Sequence, residues 1–268
     1  VRLHNYTLCK LFHVSPSGMV TVGSDDWYYY NGDAAMLEFL GKIRFSRIRL
    51  EKFAQVLKDR SYWLNSIVSH YLFLPVPNKE LVYPEYLPSR LAANKGANKY
   101  DQIVSHLYDS SSFKDFLDTK QILLDNKDSQ LFLKTDSHWN NDGVYVVYRD
   151  IINRLQDWFP GITPLEQNDR KEWIENYSGD LSIYMNLRGV VTETAPDINI
   201  KKQCEVRDSQ RLDELRRLPE FADVSPNRLP VEDGCDNRKF KIMFIHDSFG
   251  KFLKPFLSQH FETVIYNN

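Results

Sequence analysis

Ser248, His138 and Asp136 are the residues whose types and settings point to covalent acyl chemistry. Ser248 lies in Ile245-His246-Asp247-Ser248-Phe249-Gly250, between an apolar run and an amphipathic stretch. A serine at a strand-to-helix turn carries its hydroxyl at the sheet rim. The first N–H groups of the following helix then point toward it as donors for an oxyanion. Asp-Ser ahead of an apolar helix is also an ordinary helix-start signal. Asp136 stands two residues before His138 in Thr135-Asp136-Ser137-His138-Trp139. In extended chain, i and i+2 side chains face the same way. Asp136 can therefore accept from one ring nitrogen, leaving the other to take a serine proton. A lone histidine beside a tryptophan is more often structural than catalytic, so the spacing permits this pair without requiring it.

The elements that must position these residues are partly legible. Val14–Tyr30 reads as a hairpin turning at Ser15-Pro16-Ser17-Gly18. Ser46 is placed to cap a helix running to about Asn65, with Leu50, Phe53, Ala54 and Leu57 as its apolar stripe. Tyr71–Val76 and Leu131–Leu133 read as short buried strands, and Tyr100–Tyr108 as a helix. Asn140 or Asn141 caps a helix with Val144, Val147, Tyr148, Ile151, Ile152 and Leu155 on one face. Residues 157–235 show little periodicity apart from a short charged helix at 211–217. Phe240–Ile245 reads as a buried strand. A helix follows Ser248, with Phe249, Phe252, Leu253, Phe256 and Leu257 on one side, and a last strand begins at Val264. Strands and helices alternate, and several strands are unbroken apolar runs. That is the pattern of a mostly parallel α/β sheet covered on both faces. Ligands bind such sheets at the carboxyl ends of the strands, where the loops at 78–79, 134–139 and 246–250 fall in this reading.

Composition narrows the function classes. The chain has 268 residues and a net charge of −2 with no basic stripe, which argues against a nucleic-acid partner. No apolar run reaches the ~18 residues of a membrane span. The chain begins at Val1, so any leader or anchor is expected upstream. The fifteen Tyr, sixteen Phe and five Trp fit either an aromatic core or a sugar-stacking cleft. Cys9, Cys204 and Cys235 have no zinc-type spacing, and no metal is expected.

Together the blocks resemble a known family. Thr135-Asp136-Ser137-His138-Trp139, then Ser178-Gly179-Asp180-Leu181, then a strand ending in Asp247-Ser248-Phe249, resembles the SGNH-hydrolase-like domain of the alginate O-acetyltransferase proteins, the AlgJ and AlgX group. There a D-x-H-W block precedes a G-[DT]-S-F block, the reverse of the order in ordinary SGNH esterases. Gly23-Ser24-Asp25-Asp26-Trp27-Tyr28-Tyr29 and Leu74-Pro75-Val76-Pro77-Asn78-Lys79 resemble two further blocks of that family. The departures are His246, where a Gly is usual, and the end of the sequence about twenty residues past Ser248, so that any later family element is not seen; the oxyanion Gly and Asn blocks of ordinary SGNH proteins have no counterpart placed here.

The resemblance implies a single SGNH-hydrolase-like domain over residues 1–268, a three-layer αβα sandwich with a mostly parallel sheet. It implies O-acetylation of an extracytoplasmic polysaccharide, with Ser248 as nucleophile, His138 as base and Asp136 as orienting acid. The acetyl donor would come from a membrane or periplasmic partner protein rather than a bound cofactor. Hydrolysis of acetyl esters by the same triad is the first alternative, and a polysaccharide-binding or assembly protein with a vestigial triad the second. Export also implies a Cys9–Cys204 bridge with Cys235 free. Lys79 is expected as a loop cation, Asp180 as the cap of a helix from Leu181, and Trp139 as packing behind His138, with sugar stacking as its alternative.

Overall fold

The computed structural model describes residues 1–110, 113–208, 218 and 231–267; the expected helix at 211–217 lies outside the described residues. The chain forms two compact units, Val1–Gly143 with Trp173–Ala195, and Val144–Glu172 with Pro196–Asn268.

In the first unit β1 (Val20–Val22) and β2 (Tyr28–Tyr30) form an antiparallel pair, with Val20 opposite Tyr30. The hairpin is therefore shorter than expected and turns elsewhere. Its loop is Gly23–Trp27, where Gly23 N–H donates to the Trp27 carbonyl and Asp25 and Asp26 adopt positive φ. Aspartate tolerates that region because its short side chain bonds locally. Behind the pair, Val20, Val22 and Tyr28 pack with Cys9, Leu181, Met185, Leu187 and Val191. The helix Arg47–Ser66 begins as expected, with the Ser46 hydroxyl accepting from Arg49 N–H. It buries Ala54 and Leu57 against Leu107 of the Lys99–Ser110 helix and Phe113. The segment 71–76 is not a strand: it makes one isolated bridge, Phe73 to Phe116. Pro75 and Pro77 supply no N–H, so no ladder can extend. Among the described residues Leu131–Leu133 likewise makes a single bridge, Phe132 to Trp139. The strands β3 (Trp173–Tyr177) and β4 (Glu193–Pro196), which the sequence reading missed, pair with each other.

A cavity of about 260 Å³ in this unit is lined in part by Phe73, Asn78, Glu80 and Tyr100. Glu80 is 3 % exposed, and burial pushes its carboxyl up to about 7 against the lowering pull of Asn78 and Lys79. That value lies above the ~4.3 of an unfolded glutamate, so the native state holds a proton that the unfolded chain releases between these values. Stability contributed at Glu80 therefore falls as pH rises from about 4 to about 7. Glu80→Gln is expected to be more stable than the wild type by roughly 1–3 kcal/mol at pH ~8, and equal to it near pH ~4. Urea unfolding at the two values checks this, and a pH-independent difference contradicts it.

In the second unit β5 (Arg207–Asp208), β6 (Val231–Gly234), β7 (Lys241–Ile245) and β8 (Thr263–Asn267) form a sheet in the order β5-β6-β8-β7. The β7–β8 ladder is parallel, and β5–β6 and β6–β8 are antiparallel. The strand expected at 240–245 is present but not buried. Met243 and Ile245 are 66 % and 71 % exposed; the two lie on the same face of β7, and that face is open to solvent.

The helix Asn141–Leu155 starts where the Asn140 side-chain oxygen accepts from Asp142 and Gly143 N–H. All six of its expected core residues are buried. Tyr148 accepts from Leu165 N–H and donates to His260 Nε2 at 2.6 Å. Burial pushes the His260 ring down to about 4, so it is the neutral acceptor this bond needs. The helix expected after Ser248 is a 3₁₀ turn, Gly250–Leu253, followed by the short helix Lys254–Leu257.

Cys204 is bridged to Cys235, and Cys9 is a buried free thiol with its sulfur 3.5 Å from Met185 Sδ. This corrects the expected Cys9–Cys204 bridge: Cys9 packs in the core of the first unit, whereas Cys204 and Cys235 both belong to the second. Thiol titration under denaturing, non-reducing conditions is expected to find one free thiol. Peptide mapping should assign it to Cys9; a Cys9–Cys204 peptide would contradict the pairing.

Candidate active site

Asp136 and His138 come together as the i, i+2 spacing allows. His138 Nδ1 lies 2.7 Å from Asp136 Oδ1, which also accepts the His138 backbone N–H at 3.0 Å. A carboxylate acceptor places the ring proton on Nδ1, so the basic lone pair is on Nε2. The other carboxylate oxygen accepts from the Tyr177 hydroxyl at 2.9 Å and from Asp180 N–H at 3.3 Å. Burial alone would raise the Asp136 carboxyl. Hydrogen bonds from the His138 ring and backbone and from Tyr177 outweigh it and hold the group below the ordinary carboxylate value.

The loop carrying the pair is held by residues distant in sequence. Asp180 does not cap the helix it begins: its carboxylate accepts from Ser137 N–H at 2.7 Å and from the Ser137 hydroxyl at 2.6 Å. Gly179 is required beside it, since a Cβ there would stand 2.4 Å from the Thr135 carbonyl oxygen. Glu193 accepts from Lys134 N–H, Thr135 N–H and the Thr135 hydroxyl. Lys79 is no loop cation. It is 2 % exposed and donates to the carbonyls of Leu133, Lys134 and Asp136. Burial pulls its ammonium down to about 8. Trp139 is fully buried, so it packs in the core and cannot stack on a sugar. Trp27, Tyr28 and Tyr29 are core residues too, while Tyr62, Trp63, Tyr108 and Trp173 are exposed.

Donor atoms of Asp136, His138 and Asp180 lie within 4.8 Å of one another. Their oxygens are engaged by hydrogen donors, as described above. The arrangement is that of a carboxylate-oriented imidazole.

Ser248 belongs to the second unit, as Asp136 and His138 belong to the first. It follows the carboxyl end of β7 and is exposed. The helix-start signal read at Asp247-Ser248 is fulfilled by Asp247, whose Oδ1 accepts from Phe249 N–H at 2.9 Å and Gly250 N–H at 3.3 Å. The two N–H groups expected as oxyanion donors are therefore directed at Asp247. His246 fits this turn despite its size. Gly250 leaves room for it, since a Cβ at 250 would lie 2.3 Å from His246 Cβ.

Tyr177 and Glu193 were missed by sequence reasoning. The only local signal was the adjacency of Tyr177 to the Ser178-Gly179-Asp180 block.

No curated protein sequence matches this chain significantly. Among solved structures, PatB1 from Bacillus cereus is similar at 16 % identity and a TM-score of 0.60, over 93 % of this chain and 87 % of that one. A DHHW family protein from Eubacterium siraeum matches at 15 % identity and a TM-score of 0.54, over 78 % and 75 %. AlgX from Pseudomonas aeruginosa matches at 15 % identity and a TM-score of 0.53, over 92 % of this chain and 54 % of that one. At such identities these likenesses establish the fold, which is the expected SGNH-hydrolase-like α/β class. Residues 20–227 match the family model described as ALGX, SGNH hydrolase-like domain, acetyltransferase AlgX. Asp136 and His138 lie inside the matched segment and Ser248 lies beyond it. The chain belongs to this family of SGNH hydrolase-like acetyltransferases.

Proposed function

We propose that the protein O-acetylates an extracytoplasmic polysaccharide through an acetyl-Ser248 intermediate. The observation that carries this reading is the Asp136–His138 hydrogen bond of 2.7 Å within the segment matched to an acetyltransferase family. In the first half-reaction His138 Nε2 takes the Ser248 proton as the oxygen attacks the donor's acetyl carbonyl. The tetrahedral adduct then expels the donor's alcohol or thiol, which takes the proton from the imidazolium. In the second, His138 takes the proton of a sugar hydroxyl as its oxygen attacks the acetyl carbonyl of acetyl-Ser248; the adduct expels the serine oxygen, which takes that proton back from the imidazolium, leaving the acetylated sugar.

The two compact units act as one domain in this reading; the family match runs through parts of both. The Cys204–Cys235 disulfide supports an oxidising, extracytoplasmic compartment. No helix among the described residues is long and apolar enough to cross a membrane. The acetyl donor would be supplied by a partner protein.

Transfer competes with hydrolysis of the acetyl-enzyme, so the acceptor must be held in line with the acetyl carbon. Such positioning can be worth an effective molarity of ~10⁵ M or more. Incubation with an acetyl donor and a panel of oligosaccharides is expected to yield acetylated glycan by mass spectrometry, with the gain lost in Ser248→Ala. If no glycan gains acetyl while pre-acetylated glycans lose theirs with the same Ser248 dependence, the protein is an esterase.

A further inference from the structure

We propose that Lys79 is a positioning residue for this reaction, fixing the backbone that presents Asp136 and His138; the inference rests on the reading of His138 as base. Lys79 Nζ lies 2.8 Å from the Leu133 carbonyl oxygen, 3.1 Å from that of Lys134 and 2.7 Å from that of Asp136. An ammonium has three N–H donors, and a buried one is tolerated only when they are satisfied. Here three carbonyls take all three. The faces of Trp27 and Tyr29, with ring centres 5.6 Å and 5.4 Å away, add their negative quadrupoles.

The choice of carbonyls is the informative part. All three lie in the four residues ending at Asp136, and none belongs to the helix that carries Lys79. Carbonyl dipoles repel one another when they converge, so a cation at their focus dictates how this backbone curves. The same segment is held on its other polarity by Glu193, which takes the N–H groups of Lys134 and Thr135. A cation gathers the carbonyls and an anion gathers the amides. Between them they fix the stem from which Asp136 reaches the His138 ring.

Lys79→Met keeps an unbranched apolar stem, one atom shorter, and removes the donors. The folded variant is expected to lose about 10²-fold in kcat on a small acetyl ester, the cost of a misplacement near 1 Å, with KM little changed. Two further readouts do not depend on turnover. Amide hydrogen exchange over 133–138 should quicken, and the downfield Nδ1–H proton resonance of His138 should broaden or vanish. If Lys79→Met does not fold, the same readouts on Lys79→Gln decide, with smaller effects because two donors survive. A folded variant with wild-type kcat, unchanged exchange and an unchanged His138 resonance overturns the proposal. Full turnover in Ser248→Ala would instead sink the acetyl-serine reading, and exchange and the resonance would still decide the role of Lys79.

Discussion

Ser248→Ala is expected to abolish acetyl-ester turnover almost completely, by about 10³–10⁶-fold, with the fold intact. Ser248 is exposed, and the turn it occupies is closed by Asp247 accepting from Phe249 and Gly250, two hydrogen bonds that the substitution leaves in place. His138→Ala is expected to cost about as much, and the double variant hardly more than either single one. A nucleophile and the base that activates it work as a unit, and removing one disables the other. Steady-state assays of the three variants check this. Additive losses, or a wild-type rate in Ser248→Ala, would show that the serine and histidine do not serve one step.

Asp136→Asn has the second largest expected effect, about 10⁴-fold in kcat. The Asn side chain can keep one oxygen toward Tyr177 and Asp180 N–H, which bind Asp136 Oδ2 at present. Its NH₂ group would then face His138 Nδ1, where a carboxylate oxygen now stands at 2.7 Å. A donor in that place selects the tautomer with its proton on Nε2, which cannot accept from Ser248. The same NH₂ group cannot accept the His138 backbone N–H that Oδ1 now takes at 3.0 Å, so the substitution removes the chemistry and also loosens the pair. It also has a stability signature. Asp136 is held below its ordinary value in the folded protein, so its ionised form contributes stability in full above the unfolded value of about 3.9. That contribution is lost as pH falls through the lower folded value. The wild type should thus keep its stability advantage over Asp136→Asn down to about pH 4 and lose it on further acidification. Thermal melts across this range check the sign. An advantage that grows with acidity would contradict it.

Local periodicity and spacing made some of this legible. The helix Asn141–Leu155 could be read because an apolar face repeats at helical period and an Asn stands at its start. The Asp136–His138 pair could be read from its i, i+2 spacing, although the pair meets through bends in which Asp136 Oδ1 takes the His138 N–H and not through the extended chain expected. The exposure of β7 could not: an unbroken apolar run reads as buried on both faces, whereas Met243 and Ile245 stand on a face left open. The segment 71–76 misled because its apolar content matched a strand while its prolines removed the ladder. Lys79 was misread for a different reason. Its three acceptors lie 54 to 57 residues away, so a charge that local sequence assigns to solvent is buried by a tertiary contact. Tyr177 and Glu193 reach the same loop across 41 and 58 residues, beyond any local pattern. Three cysteines allow three pairings, and spacing alone gave no ground to choose Cys204–Cys235.

Whether Ser248 carries the acetyl group is decided by mapping the acylated residue. Wild-type protein would be mixed with an activated acetyl ester, without glycan acceptor, quenched in acid within the first turnover, digested and sequenced by mass spectrometry. One acetyl group is expected on the peptide containing His246-Asp247-Ser248-Phe249, at Ser248, appearing in a burst and absent from His138→Ala. An acetyl group confined to another residue, or turnover with no acylated peptide at any time, would contradict it.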